Sequence, residues 1–129
     1  MKKLLLIFTL LFSTLVFSSP SYADWTKVGT SVDGDTFYVD FDRIRKHGGY
    51  VYFWQLSESV KPVLGDLSAK FYIQGDCKLF RFKYLSYYFH TEPMGNGTPT
   101  SSGNTPDKEW RYPSPNSSHE DILKSVCNY

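Results

Sequence analysis

The chain has 129 residues, with 14 basic and 13 acidic side chains and a formal net charge of +1. This near balance, without a polybasic run, excludes the electrostatic footprint of a nucleic-acid binder or of a protein held on anionic lipid. Aromatic residues make up 18% of the chain, which excludes wholesale disorder, and the length suits one folded domain with its own core.

Lys2 and Lys3 open the chain, residues 4–17 carry no charge, and Ser18, Ser19 and Pro20 end that apolar run. Ser21 and Ala23 then place small side chains three and one positions before the bond to Asp24. A positive start, an apolar stretch and a small-residue site make the pattern of a cleaved secretory signal. The apolar run of 14 residues is too short for a bilayer span, which takes about 20. The predicted organisation is a signal peptide over residues 1–23, cut between Ala23 and Asp24, and one domain over residues 24–129. Cleavage removes two lysines and no acid, so the mature chain carries a net charge near −1. It is expected in the periplasm or secreted, with no membrane span. Cys77 and Cys127 therefore travel to an oxidising compartment, where an even count in a small domain predicts a disulfide. On the chain-entropy model such a closure stabilises the fold by about 4 kcal/mol.

Along the mature chain, residues 25–30 read as a short strand, Asp33-Gly34-Asp35 as a turn and residues 36–39 as a second strand. Residues 43–47 read as a polar connection, with one helical turn for which Asp40 is the candidate cap. Gly48-Gly49 opens the clearest strand, residues 50–56, rich in β-branched and aromatic side chains. Residues 57–66 hold Pro62 and Gly65 and are expected to form a loop; residues 70–74 make the next strand. The longest strand is expected over residues 79–91, with Phe80, Phe82, Tyr84, Ser86 and Tyr88 on one face and Arg81 and Lys83 on the other. Residues 94–108 are rich in Gly, Pro, Ser, Thr and Asn and read as a mobile loop, followed by a short edge strand over residues 109–112. Ser117 and Glu120 have capping-box spacing, and Ile122, Leu123, Val126 and Cys127 form an apolar stripe at helical period. The predicted fold is α+β: an antiparallel meander of about five or six strands with one C-terminal helix on a face, tied to the sheet by Cys77–Cys127.

Several residues in this layout carry a family pattern. They are Trp25, the Tyr38-Val39-Asp40 strand end followed by Ile44-Arg45, the aromatic strand through Trp54, Asp76-Cys77 with Arg81, the glycine-bearing loop, Trp110, Pro113 and Cys127. In order and spacing the chain resembles the surface-adhesin E-like domains of Gram-negative bacteria, from Trp25 to Cys127. The resemblance implies an antiparallel sheet with a C-terminal helix, and binding to host extracellular-matrix or plasma proteins. Display of such adhesins relies on a lipid-modified Cys at the mature start; here that position is Asp24, and residues 1–23 hold no Cys.

No G-x-S-x-G, H-E-x-x-H, Walker or Rossmann pattern is present, so the chain is expected not to be an enzyme and to need no cofactor. Asp33, Asp35, Asp40 and Asp42 suggest calcium, but the further ligands of an EF-hand loop are missing and turn formation explains them. Residues 87–90 alternate faces in a strand, so at most half can share one surface, and His119 is expected near the surface of the first helical turn. Asn96-Gly97-Thr98 and Asn116-Ser117-Ser118 match a glycosylation sequon, which a bacterial-type signal makes coincidental. The candidate binding residues are Tyr88, His90, Met94 and Asn96, on the long strand and the loop after it. Three functions are weighed: an exported binding module for an extracellular-matrix or envelope protein, an envelope protein that self-associates through a sheet edge as a homodimer, and a small secreted enzyme.

Overall fold

Residues 50–63 supply the spine of the sheet. In the computed structural model, which describes residues 23–129, they form the 14-residue strand β4, Tyr50–Val63. The signal expected over residues 1–23 lies outside the described residues, Ala23 excepted. Before the spine come β1 (Thr26–Thr30), β2 (Thr36–Val39), a 3-10 turn (Phe41–Arg43) and β3 (Arg45–His47). After it come β5 (Asp66–Asp76), β6 (Arg81–His90), a second 3-10 turn (Pro93–Gly95), β7 (Ser101–Gly103) and the helix α1 (Ser118–Cys127). The strands form one antiparallel sheet in the order β1-β2-β4-β5-β6-β7, with β3 pairing β4. The sheet is not closed.

Alternation in β4 decides what each face carries. Val51, Phe53 and Gln55 point to one side and are buried, while Tyr50, Tyr52 and Trp54 point to the other and are half-buried. The helix lies on the first side, across β1, β2 and β4, and packs Ile122, Leu123 and Val126 against Val39, Val51, Phe53, Ile73 and Phe82. Gly75 permits this approach: a Cβ there would stand 2.8 Å from Val51 Cγ1 and 3.1 Å from Leu123 Cδ1. Ser117 caps the helix, its Oγ accepting from the Glu120 backbone N–H at 3.2 Å. The reciprocal half of the box is displaced by one residue, because the Glu120 carboxylate accepts from the N–H of Asn116. Cys127, at the last turn, is bonded to Cys77 in the turn between β5 and β6. The α+β expectation and the staple both hold, with seven strands in place of five or six.

Four expectations change. Residues 57–66 are not a loop but the ends of β4 and β5, joined at Leu64 and Gly65, whose φ values of 52° and 88° fit a type I′ hairpin. Pro62 is accommodated because the β4–β5 ladder is interrupted between Glu58 and Val63. The polar connection at residues 43–47 contains a strand, β3, and the Asp40 side chain does not cap the turn before it. Residues 109–112 contribute a single bridge, Phe82 to Arg111, and no strand.

The fourth change moves a face. Tyr72 pairs with Ser86 but Ile73 pairs with Tyr84, so Leu85 is an extra residue in β6. One inserted residue reverses the side-chain alternation beyond it. Phe82 and Tyr84 therefore face the helix, whereas Ser86 and Tyr88 share the opposite face with Tyr72 and Lys70.

Candidate functional site: the open face of the sheet

The face opposite the helix is built of half-buried rings. Trp54 lies between Tyr72, at 4.9 Å between ring centroids, and Tyr88, at 5.9 Å. Tyr52 lies 6.3 Å from Tyr72 and its hydroxyl accepts from the Gln74 side-chain amide at 3.3 Å. At the far end, Trp110 packs 5.5 Å from Tyr50, with the Arg81 guanidinium 4.3 Å and the Lys83 ammonium 4.7 Å from its ring centroid. Arg81 also bonds the buried Asp76 carboxylate at 2.9 Å. Burial alone would raise the Asp76 carboxyl, but the Arg81 guanidinium and the backbone N–H groups of Leu79 and Lys78 more than reverse this and hold it below its ordinary value.

At the Trp54 end the face deepens into a cleft of about 360 Å³, walled by Trp25, Trp54, Arg43, Lys70, Asp40 and Met94. Asp40 is 1% exposed, and its backbone N–H donates to the Trp54 carbonyl at 3.2 Å. Its Oδ2 is 3.3 Å from Arg43 Nε, while Oδ1 has no hydrogen-bond partner among the described residues. Burial lowers the pKa of Lys70, and the nearby Arg43 charge lowers it further.

The segment after β6 is fastened across this end of the sheet. Met94 N–H donates to the Glu58 carboxylate at 2.7 Å, Gly95 N–H donates to Ser68 Oγ at 2.8 Å, and that hydroxyl donates to the Glu92 carbonyl at 2.6 Å. His90, 1% exposed, puts Nδ1 3.1 Å from the Asn96 carbonyl, and its Nε2 has no partner among the described residues. Burial depresses the His90 pKa, and the Lys70 charge adds to this against the opposing pull of the Asn96 and Gly97 carbonyls. The first part of the loop expected to be mobile is thus held by three side chains of the sheet, those of Glu58, Ser68 and His90. Further on, Thr100 N–H donates to the Phe89 carbonyl and Asp107 N–H to the Tyr84 carbonyl.

The residues singled out from the sequence fall as follows. Met94 and Asn96 line the cleft, Tyr88 supports its Trp54 wall, and His90 is buried beneath the Asn96 backbone. Ala23 is also at the cleft, Asp24 is exposed, and Cys77 and Cys127 are far from it on the helix side. His119 is not a surface neighbour but stacks on Phe82 on the helix side. Sequence reasoning missed Trp25, Asp40, Arg43, Trp54 and Lys70 as a group. The shared parity of Tyr50, Tyr52 and Trp54 was a legible signal; the meeting of the Asp40–Arg43 turn with Lys70 of β5 was not. Asp35 is used structurally, its Oδ1 accepting from Val60 N–H at 3.0 Å. Among the described residues no group of His, Cys, Asp and Glu gathers to hold a metal, and no helix is long and apolar enough to cross a membrane.

An open antiparallel sheet, backed by one stapled helix and carrying rings and cations on its other face, defines a small α+β sheet scaffold. The model of the surface-adhesin protein E family matches residues 25–128, and the chain belongs to that family. Among solved structures it is similar to Haemophilus influenzae protein E in crystal form II, with a TM-score of 0.64 and 14% identity over 84% of this chain and 91% of that one. A second structure of Haemophilus influenzae protein E aligns with a TM-score of 0.62 and 14% identity, over 84% and 87% of the two chains. Protein E from non-typeable Haemophilus influenzae aligns at 0.57 and 13% identity, over 85% and 79%. At these identities the likeness is one of fold. No curated protein sequence matches. Family membership makes this an adhesin-like surface protein.

Proposed function

We propose that the chain is an exported, non-catalytic binding module that engages an extracellular-matrix or envelope macromolecule through the open face of its sheet. One observation carries this reading: the face without a helix holds Tyr50, Tyr52, Trp54, Tyr72, Tyr88 and Trp110, flanked by Arg81, Lys83, Arg43 and Lys70. A face needing only to be wetted is served by short polar side chains. Tyr, Trp and Arg are the residues that dominate binding energy at protein interfaces, and large uncovered patches of them mark docking surfaces. Export is supported by the charge, apolar and small-residue order of residues 1–23 together with the cysteine pair. The edge strands are blunted against self-pairing, β1 by an irregularity between Lys27 and Gly29 and β3 and β7 by their three-residue lengths. That favours the face over an edge as the contact surface.

The test measures binding of the exported protein to immobilised basement-membrane extract and to plasma proteins, alongside Trp54→Ala with Tyr72→Ala and a control change, Val32→Ser, in an exposed turn. The double variant is expected to bind at least tenfold more weakly and the control unchanged. Equal binding by all three, or none by the unaltered protein, rejects the reading.

A further inference from the structure

Resting on that reading of the open face, we infer that the cleft between Trp25 and Trp54 is a subsite for a carboxylated sugar, a uronic or sialic-type unit of a glycan. Four features of the cleft converge on this class. Its volume, about 360 Å³ with Ala23 still in the wall, suits one pyranose ring with its substituents, at the small end of ligand pockets, which run from roughly 300 to 1,000 Å³, and cleavage after Ala23 opens that side further. Its walls include two indoles, and Trp54 is held in place by Tyr72 and Tyr88 behind it. Flat aromatic rings cover the C–H face of a sugar while the hydroxyls remain free at its edge.

Charge selects among ring-shaped ligands. Among the lining side chains Arg43 and Lys70 bring two positive charges and Asp40 one negative charge, an excess of one positive charge. Lys70 forms no ion pair among the described residues, and its stem runs close to Gly95, where a Cβ would stand 3.0 Å from Lys70 Cδ. A single carboxylate neutralises the site. A phosphate dianion overcompensates it, and a zwitterion leaves the excess in place while putting an ammonium beside two cations.

The fourth feature is the orphaned acceptor. Asp40 Oδ1 is buried at the cleft wall and has no hydrogen-bond partner among the described residues, and a buried acceptor without a partner costs free energy until a donor arrives. Hydroxyl groups are the donors that a sugar offers and that add no charge. A carboxylate for the cations, hydroxyls for Asp40 and a C–H face for the indoles occur together in an acidic sugar.

The test is an NMR titration of the tryptophan indole N–H signals of the exported protein, assigned with Trp54→Phe. The probes are glucuronic acid and N-acetylneuraminic acid, with glucose as the ring without charge and N-acetylglutamate amide as the carboxylate without a ring. Saturating shifts of the Trp25 and Trp54 signals are expected with at least one acidic sugar, and not with glucose or the glutamate derivative. Lys70→Met keeps the stem and removes the charge, and Trp25→Ala removes one wall before the first strand; each is expected to weaken the acidic sugar at least tenfold. The inference is overturned if glucose or the glutamate derivative matches the acidic sugars, if none saturates, or if neither variant changes the affinity. Binding to the basement-membrane extract is measured in parallel with Lys70→Met. Extract binding that persists while every sugar fails overturns the subsite and leaves the open face standing; the reverse overturns the macromolecular reading alone.

Discussion

The imidazole of His119 lies flat on the ring of Phe82, with centroids 5.4 Å apart and the planes 7° from parallel. Its Nε2 shares a hydrogen bond of 2.8 Å with the Tyr84 hydroxyl, so the first turn of the helix is joined to β6 by a polar contact inside an aromatic cluster. Burial lowers the His119 pKa, and the nearby Arg111 guanidinium lowers it further.

A pH dependence follows. A histidine with a depressed folded pKa contributes its full stability above the unfolded value of about 6.5 and loses it as pH falls through the folded pKa. His90 is depressed in the same direction, by burial and then by Lys70. Denaturant midpoints are expected to fall between pH 7.5 and 5, with m unchanged. His119→Phe keeps a ring on Phe82 and removes one titrating group, so its midpoint should fall less over the same range. A flat profile for the unaltered protein would show that neither ring resists protonation.

Asp76 gives a second, more acidic window. Its carboxyl is held below the ordinary range, so its contribution is intact above about pH 3.9 and disappears as pH falls through the lower folded value. Asp76→Asn also removes the charged partner of Arg81. It should be less stable than the unaltered protein at pH 7 and lose less stability on going below pH 4. Circular dichroism along an acid titration measures both.

Gly75 lies where helix meets sheet. Gly75→Ala places a methyl 2.8 Å from Val51 Cγ1, closer than side chains tolerate, and 3.1 Å from Leu123 Cδ1, and overpacking of this kind costs about 1–3 kcal/mol. Urea unfolding should show the loss. The double variant with Leu123→Ala should lose less than the sum of the two single changes, because the two act in one space.

The staple is testable together with export. Cys77→Ser with Cys127→Ser is expected to lower stability by about 2–5 kcal/mol, since the bond closes a loop of sequence separation 50 and fastens the last helical turn. The mass of the exported chain should correspond to a start at Asp24 and fall about 2 Da below its dithiol form. A retained residue 1–23 segment, or free thiols, would contradict the export reading.

Much of the architecture was visible in local pattern. Tyr50 to Trp54 alternates in the open, Asp33-Gly34-Asp35 marks its turn, and Ser117 announces the helix three residues before Glu120, because each signal depends on neighbours in the chain. Pro62 misled, since a proline in a strand is tolerated only where the ladder is already broken, and that break is a property of the pair β4–β5. Met94 and Asn96 were visible as loop residues. That their segment is fastened over the sheet depends on Glu58, Ser68 and His90, residues 6 to 36 positions away.

The sequence by itself determined that this is a β-rich domain ending in a capped amphipathic helix, with two cysteines suited to one bond. Period and spacing are properties of consecutive residues, so no partner strand is needed to read them. Which rings would be left uncovered was decided only in three dimensions. The extra residue Leu85 is detectable only against the register of β5, and it carries Tyr88 to the side of Trp54 while leaving Tyr84 with His119. The Asp40–Arg43 pair and Lys70 meet for the same reason, brought to one cleft by a sheet whose helix covers the opposite face.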